Sequence, residues 1–334
     1  MSKAYPEAEQ IAQILADAQK IVIMQADNPD GDSLGSALAL EHILGDLGKE
    51  PYLYCGVDMP GYLHYFAGWD RVSKELPHQF DATIIVDTST DDLFEGLKKS
   101  DQRKWVASKP CIVLDHHASS DGIPYATIMC NHPVVATGEL IYELAGQLDW
   151  PLNQDSKEMI ASSIMSDSLG LVSEGTSARS IHIVGELVEQ GVSLAKLESD
   201  RRELMRKSAE LLHYKGDLLK RIEYHADNRV ATVDIPWEEI QKYSPLYNPS
   251  MLVIDEMRQS EGTDIAIAFK VYKDGKITAK IRANFGKSIA GELAAHFGGG
   301  GHKYASGFKV TGRPLNEVKS ECIKLATELL DETV

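Results

Sequence analysis

Three apolar runs in this chain end abruptly in residues that can hold a cation or carry a proton. Cys111-Ile112-Val113-Leu114 opens into Asp115-His116-His117. Lys20 to Ala26 leads into Asn28-Pro29-Asp30-Gly31-Asp32, and Ala82 to Val86 into Asp87-Thr88-Ser89. An aspartate after a strand commonly serves as no more than a helix cap or a turn residue. A carboxylate beside two imidazoles at a buried strand end is a different matter, because such groups need partners to offset their desolvation. Together the three ends outline a metal pocket.

The elements that must position these residues follow from the pattern around them. Apolar runs rich in β-branched residues suit strands buried on both faces, and in open α/β sheets the site lies at the carboxyl ends of the strands. Ala8 to Gln19 reads as a first helix, packed by Ile11, Ile14 and Leu15. After Asp32, Leu40, Ile43, Leu44 and Leu47 recur at helical spacing up to Gly48. Residues 51–55, 82–87 and 111–115 read as further strands, and helical stretches between them imply a parallel sheet. Thr137 to Leu148 is another amphipathic helix. Residues 156–170 read as a helix whose end brings Asp167 toward the same pocket.

Between 194 and 222, Leu197, Leu204, Leu211 and Leu218 repeat every seven residues, which predicts one long amphipathic helix connecting two domains. The same spacing is that of a dimer-forming coiled coil, so a homodimer stays open. Arg201, Ser208 and Lys215 at the intervening positions favour packing against the domains. Beyond Ile222, Arg229–Ile235 and Asp264–Tyr272 read as strands, the second turning at Asp274-Gly275 and returning as Ile277–Ala283. A helix over 288–297 runs into Gly298-Gly299-Gly300-Gly301-His302. Four glycines let backbone approach a ligand closely and leave amides unshielded for an anion, and with His302 and Arg282 nearby they point to a phosphate or nucleotide site. The expected fold is α/β: a parallel-sheet domain with flanking helices over 1–190, a helical linker over 191–222, and a smaller α/β domain over 223–334.

Composition narrows the function. With 34 basic and 50 acidic residues the net charge is −16, and no basic stripe is visible, which disfavours long DNA or RNA as a partner. A short oligonucleotide or mononucleotide is still admissible, because metal ions and one or two cationic side chains can override the global field. No apolar run is long enough to span a bilayer, and Met1 to Tyr5 lacks the features of a signal peptide, so a cytoplasmic protein without membrane association is expected. Cys55, Cys111, Cys130 and Cys322 lack paired spacing, which argues against disulfides and a Cys-ligated zinc.

The motifs Asn28-Pro29-Asp30-Gly31-Asp32, Val86-Asp87-Thr88, Leu114-Asp115-His116-His117, Ser166-Asp167-Ser168, Gly298 to His302 and Ala305-Ser306-Gly307 stand in the order found in one family. The chain resembles, over nearly its whole length, the DHH phosphoesterases with a DHH-associated C-terminal domain, most of all the bacterial nano-RNase (oligoribonuclease) and pAp phosphatase subgroup. Carboxylates with imidazole suit Mn²⁺ better than a thiolate-loving metal, Mg²⁺ or another divalent ion being the alternative. Two such ions, roughly 3.5–4 Å apart, activate water and neutralise charge during in-line attack. The resemblance implies that Asp30 and Asp87 bind one ion, while Asp32, Asp87, His116 and Asp167 bind the other, with Asp87 bridging. Asp115 would orient a histidine and His117 would face the scissile phosphate, so that Asp87, Asp115 and His117 form the catalytic set. Arg282, Gly299, Gly300, Gly301 and His302 would hold the nucleotide.

Short oligonucleotides, dinucleotides and pAp are the substrates this resemblance implies. Family II pyrophosphatases lack the glycine-histidine signature, RecJ exonucleases are usually larger, and membrane-tethered cyclic dinucleotide phosphodiesterases carry membrane helices absent here. A soluble cyclic di-AMP or pApA hydrolase is the enzyme alternative, and a non-hydrolytic nucleotide sensor the alternative of another class. One departure stands out. The family's first motif usually opens with a histidine ligand four residues before its first aspartate, and that position here is Ala26. Asp27 and Gln25 are its neighbours, water the simpler filler, and weaker binding of the first ion is the expectation.

Overall fold

The computed structural model describes residues 4–117 and 122–332; Met1 to Lys3, part of the start read for a signal peptide, lie outside them. The chain divides into two compact units, residues 1–206 and 207–334. The first contains α1 (Ala8–Asp17), β1 (Lys20–Gln25), α2 (Gly31–Asp46), β2 (Glu50–Cys55), β3 (Ala82–Val86), α3 (Glu95–Lys99), α4 (Arg103–Val106), β4 (Cys111–Asp115), β5 (Ile128–Asn131), α5 (Thr137–Gln147), α6 (Gln154–Asp167), α7 (Ala178–Glu189) and α8 (Leu194–Leu204). Its strands form a parallel sheet in the order β2-β1-β3-β4-β5. The expected parallel sheet is therefore present.

Every residue of β3 and β4 is buried, as sequence runs without alternation require. Successive side chains still part to opposite faces. Ile21, Ile23, Ile84, Val86, Ile112 and Leu114 enter a core with α2, α5 and α6, whereas Val22, Met24, Ile85 and Val113 meet Phe80, Phe94 and Val106 on the other side. Close approach of the helices on the first face depends on missing side chains. A Cβ on Gly138 of α5 would lie 2.1 Å from Ser163 Oγ of α6, and one on Gly31 of α2 would lie 2.3 Å from Ser166 Oγ. These two glycines bring three helix ends together beside the carboxyl ends of β3 and β4.

The second unit contains α9 (Ala209–Lys220), β6 (Glu223–His225), β7 (Val230–Ile235), α10 (Trp237–Tyr243), α11 (Ile254–Arg258), β8 (Ile265–Val271), β9 (Ile277–Ala283), α12 (Ala290–His296), β10 (Gly300–His302), β11 (Ala305–Val310) and α13 (Leu315–Glu332). Its mixed sheet has the order β10-β11-β9-β8-β7-β6, with β7 and β8 parallel and joined through α10 and α11. The hairpin between β8 and β9 turns with Gly275 at φ +76°, as Asp274-Gly275 predicts.

One expectation needs correction. The stretch 194–222 is not one helix: α8 ends at Leu204 and α9 begins after Ser208, whose side chain accepts the Leu211 N–H at 3.2 Å. The leucines serve separate cores, Leu197 packing in the first unit and Leu211 and Leu218 in the second. The glycine run is built into the sheet of the second unit. Gly298, at φ +74°, closes α12, and the following residues form the strand β10. A Cβ on Gly299 would lie 2.3 Å from the Gly307 carbonyl and one on Gly301 2.6 Å from that of Ala305, whereas Gly300 has open space. Among the described residues, no helix is long and apolar enough to cross a membrane.

Candidate metal centre

Each element of the first unit delivers its polar end for a local reason. Asp30 caps α2: its Oδ1 accepts the Asp32 and Ser33 N–H groups at 3.0 Å, and Ser33 Oγ accepts the Asp30 N–H at 2.9 Å. Such a capping box stabilises a helix by about 1 kcal/mol. Asp30 is thus a helix cap in fact, which uses one carboxylate oxygen. Asp87 follows β3 directly in the left-handed region, at φ +59°, where aspartate is tolerated better than most residues. Asp167 is the last residue of α6.

Asp32 is fully buried and held from four directions. Its Oδ1 accepts Ser163 Oγ at 2.5 Å, Ser36 Oγ at 2.9 Å and the Gly138 N–H at 3.3 Å, and its Oδ2 accepts the Thr137 N–H at 2.7 Å. The two amides belong to the first turn of α5, whose dipole favours an anion. Thr137 Oγ1 also donates to Asp87 at 3.4 Å.

His116 stands where these groups meet. Its Nδ1 lies 3.2 Å from the Val134 carbonyl, which can only accept, so Nδ1 carries the proton and a neutral ring has a bare Nε2. That Nε2 is 3.2 Å from Asp87 Oδ1, 3.4 Å from Asp32 Oδ2 and 3.5 Å from Asp167 Oδ2. It is buried and, among the described residues, has no hydrogen-bond partner. An orphaned buried nitrogen costs about 1–3 kcal/mol. Burial pushes the carboxyl of Asp87 well up, reinforced by Asp32, Asp30 and Asp167, and burial with Asp32 and Asp30 pushes Asp167 up to about 8. Oxygen and nitrogen donors this crowded fit a divalent cation, which would remove both the repulsion and the orphan. The ligand atoms of Asp32, His116 and Asp167 lie within 4.8 Å of one another, as do those of Asp87, His116 and His117.

Asp115 takes a different part. It is fully buried, and its oxygens accept from Ser89 Oγ at 2.5 Å, His117 Nδ1 at 2.7 Å and Asn131 Nδ2 at 3.2 Å. Burial pushes its carboxyl up, but the bonds from His117 and Ser89 outweigh that and hold it below the usual range, while Asp115 in turn raises His117. The His117 ring is half exposed, so an ionised Asp115 fixes one ring nitrogen and leaves the other for a ligand.

A cavity of about 680 Å³ opens beside Asp30 and Gly31, lined among others by Tyr62, Tyr65, Met165, Leu197 and Arg201. At the missing-histidine position Ala26 is buried. Of its neighbours, Asp27 accepts the Gly96 N–H at 2.7 Å, while Gln25 is fully buried and, among the described residues, makes no hydrogen bond through either amide atom.

These two units match known domain models. Residues 20–176 match the DHH family, N-terminal domain, and residues 248–334 the DHHA1 domain. The chain is built of a DHH-family domain and a DHHA1 domain. Over 295 residues the chain is 24% identical to the bifunctional oligoribonuclease and PAP phosphatase NrnA of Bacillus subtilis, covering 87% of this chain and 89% of that protein. The Mycoplasma pneumoniae protein of the same name is 24% identical, with 95% of each chain covered. Among solved structures, an exopolyphosphatase-related protein from Bacteroides fragilis superposes with a TM-score of 0.86 at 21% identity over 99% of this chain and 100% of that one. RecJ from Thermus thermophilus, solved with Mn²⁺, reaches 0.57 at 15% identity over 98% of this chain and 56% of RecJ.

Within the DHHA1 domain, the sheet register aligns two residues expected to bind substrate. His302 pairs with Ala305, and Ala305 with Arg282, so both side chains leave the same face two strands apart, about 10 Å by the usual strand spacing. Around the DHH motif, Ser163, Thr137, Asn131 and the Val134 carbonyl escaped the sequence reading. Small polar residues carry no periodic signal, and each acts here through a partner distant in sequence.

Proposed function

We propose that this chain hydrolyses phosphoester bonds in short oligonucleotides and in nucleotides of the pAp type, using two divalent ions, Mn²⁺ by preference, held by Asp30, Asp32, Asp87, His116 and Asp167. The observation that carries this reading is the orphaned Nε2 of His116, buried with carboxylates from three other segments within 3.5 Å. The substrate class is supported by the names of the Bacillus subtilis and Mycoplasma pneumoniae relatives, and the metal by the Mn²⁺ of the RecJ structure.

Bound there, divalent ions supply Lewis-acid chemistry, lowering the pKa of water and neutralising charge on the phosphoryl oxygens. The side chains do the rest. The donors around Asp32 fix its carboxylate before any ligand arrives. The Val134 carbonyl sets the tautomer of His116. Asp115 holds Nδ1 of His117, so that Nε2 is presented to a phosphoryl oxygen. The cavity beside Asp30 offers aromatic and apolar walls for a base and sugar. We assign catalysis to the DHH domain and nucleotide capture, through Arg282, Gly299, Gly300, Gly301 and His302, to the DHHA1 domain.

The test is to incubate Mn²⁺-loaded protein with pAp, labelled di- to tetranucleotides, cyclic di-AMP and pyrophosphate. Phosphate release from pAp and mononucleotides from the short oligomers is the expected outcome. Preferential turnover of cyclic di-AMP would shift the substrate class. Tight binding without turnover of any of them would make the protein a nucleotide sensor.

A further inference from the structure

A second group of metal-type donors lies on the edge of the DHH sheet, built from residues the centre above does not use. The ligand atoms of Glu7, Cys130 and His132 all lie within 4.8 Å of one another. Cys130 and His132 stand two positions apart at the end of β5, so an extended backbone sends both side chains to one face. Glu7 precedes α1 and makes no side-chain cap bond, and its Oε2 reaches His132 Nε2 at 3.1 Å although the two are 125 residues apart.

The surroundings hold this group in place. The Tyr5 ring packs on the His132 ring at 4.6 Å between centroids. Both backbone groups of Tyr5 are clamped by one amide: its N–H donates to Gln147 Oε1 at 2.8 Å, and Gln147 Nε2 donates to its carbonyl at 3.1 Å. The Cys130 side chain is fully buried, whereas the side chains of Glu7 and His132 keep about a quarter of their surface exposed. Glu7 and His132 are therefore reachable from solvent, and a fourth ligand would come from that side.

We propose that Glu7, Cys130 and His132 form a second metal site, for a borderline divalent cation of the Zn²⁺ type. One sulfur, one imidazole nitrogen and one carboxylate oxygen are the donor types zinc takes, with water completing a tetrahedron. A thiolate and a carboxylate bring two negative charges against the ion's two positive ones, so the site closes without net charge at the border of an apolar core. The ion would tie the segment before α1 to the edge strand β5. It would also steady the DHH centre indirectly, because the His132 N–H donates to the Asp115 carbonyl at 3.1 Å and its own carbonyl accepts the Val134 N–H at 2.9 Å. Cysteine spacing could not reveal such a site, because one of its ligands stands 125 residues away in the chain.

Cobalt distinguishes this site from the DHH centre, which offers oxygen and nitrogen alone. Full-length protein stripped with a chelator is titrated with Co²⁺ and followed for the thiolate-to-cobalt charge-transfer band in the near ultraviolet. The band should appear, be lost in Cys130→Ser and in His132→Gln, and survive in Asp87→Asn. His132→Gln, at a partly exposed position, keeps the question answerable where a change at Cys130 disturbs folding, and circular dichroism checks that each variant is folded. Absence of the band at saturating Co²⁺, or a band unchanged in folded Cys130→Ser or His132→Gln, would overturn the proposal.

Discussion

Ser163 donates its hydroxyl to Asp32 at 2.5 Å, joining α6 to the second aspartate of the first motif across a contact that a side chain at Gly138 would block. Ser163→Ala removes one of the donors that hold a buried carboxylate. Divalent affinity should fall by roughly 10–100-fold, the usual effect of losing a partner that orients a metal ligand. Isothermal titration with Mn²⁺ reads this directly, and an unchanged dissociation constant would show that Ser36 and the α5 amides suffice.

Asp87→Ala should abolish hydrolysis while leaving the fold intact, because its loss takes a proposed bridging carboxylate from both ions. Asp87→Asn is the cleaner partner variant, since asparagine tolerates φ +59° and keeps the size of the side chain. Turnover by either variant at saturating Mn²⁺ would remove Asp87 from the site.

Removing metal should cost stability, because crowded carboxylates lose the cation that separates their charges. An ion at a hundred times its dissociation constant stabilises a fold by about 2.7 kcal/mol, or several degrees of melting temperature for a domain of this size. Ala26→His should add to this effect by supplying the ligand this chain lacks, and activity should depend on added Mn²⁺. Calorimetric melts with chelator and with Mn²⁺ make the comparison. No gain from Ala26→His, together with weaker binding in Gln25→Leu, would show that Gln25 already fills that position.

His302→Ala should weaken capture of dinucleotides and pAp more than it disturbs metal binding, raising KM while the metal stoichiometry stays constant. Gly300→Val makes a companion test. Among the described residues, no atom beyond its chain neighbours lies within 4 Å of a Cβ at Gly300, so the fold should tolerate the change while a ligand approaching the backbone there meets a new side chain. Equal loss of bound metal in His302→Ala would place that residue with the metal ligands.

The runs around β1, β3 and β4 are legible from sequence because a strand buried on both faces must be apolar throughout and its first polar residue marks its end. Asp30, Asp32, Asp87, Asp115, His116 and His117 could be named for that reason and by resemblance to one family, and Asp167 from the end of a helix and the same resemblance. In the second unit the Asp274-Gly275 turn is a local signal and places two strands correctly. Heptad leucines are local as well, but spacing does not say which core a leucine enters, and so the break between α8 and α9 stayed hidden. The donors that hold the site were hidden too. Ser163, Thr137, Asn131 and the Val134 carbonyl act on residues that are neighbours in the fold and distant in the chain, and Glu7 meets His132 across 125 residues. Which carboxylate is held ionised and which is pushed up depends on burial and on donors brought from elsewhere, and those the tertiary structure alone assembles.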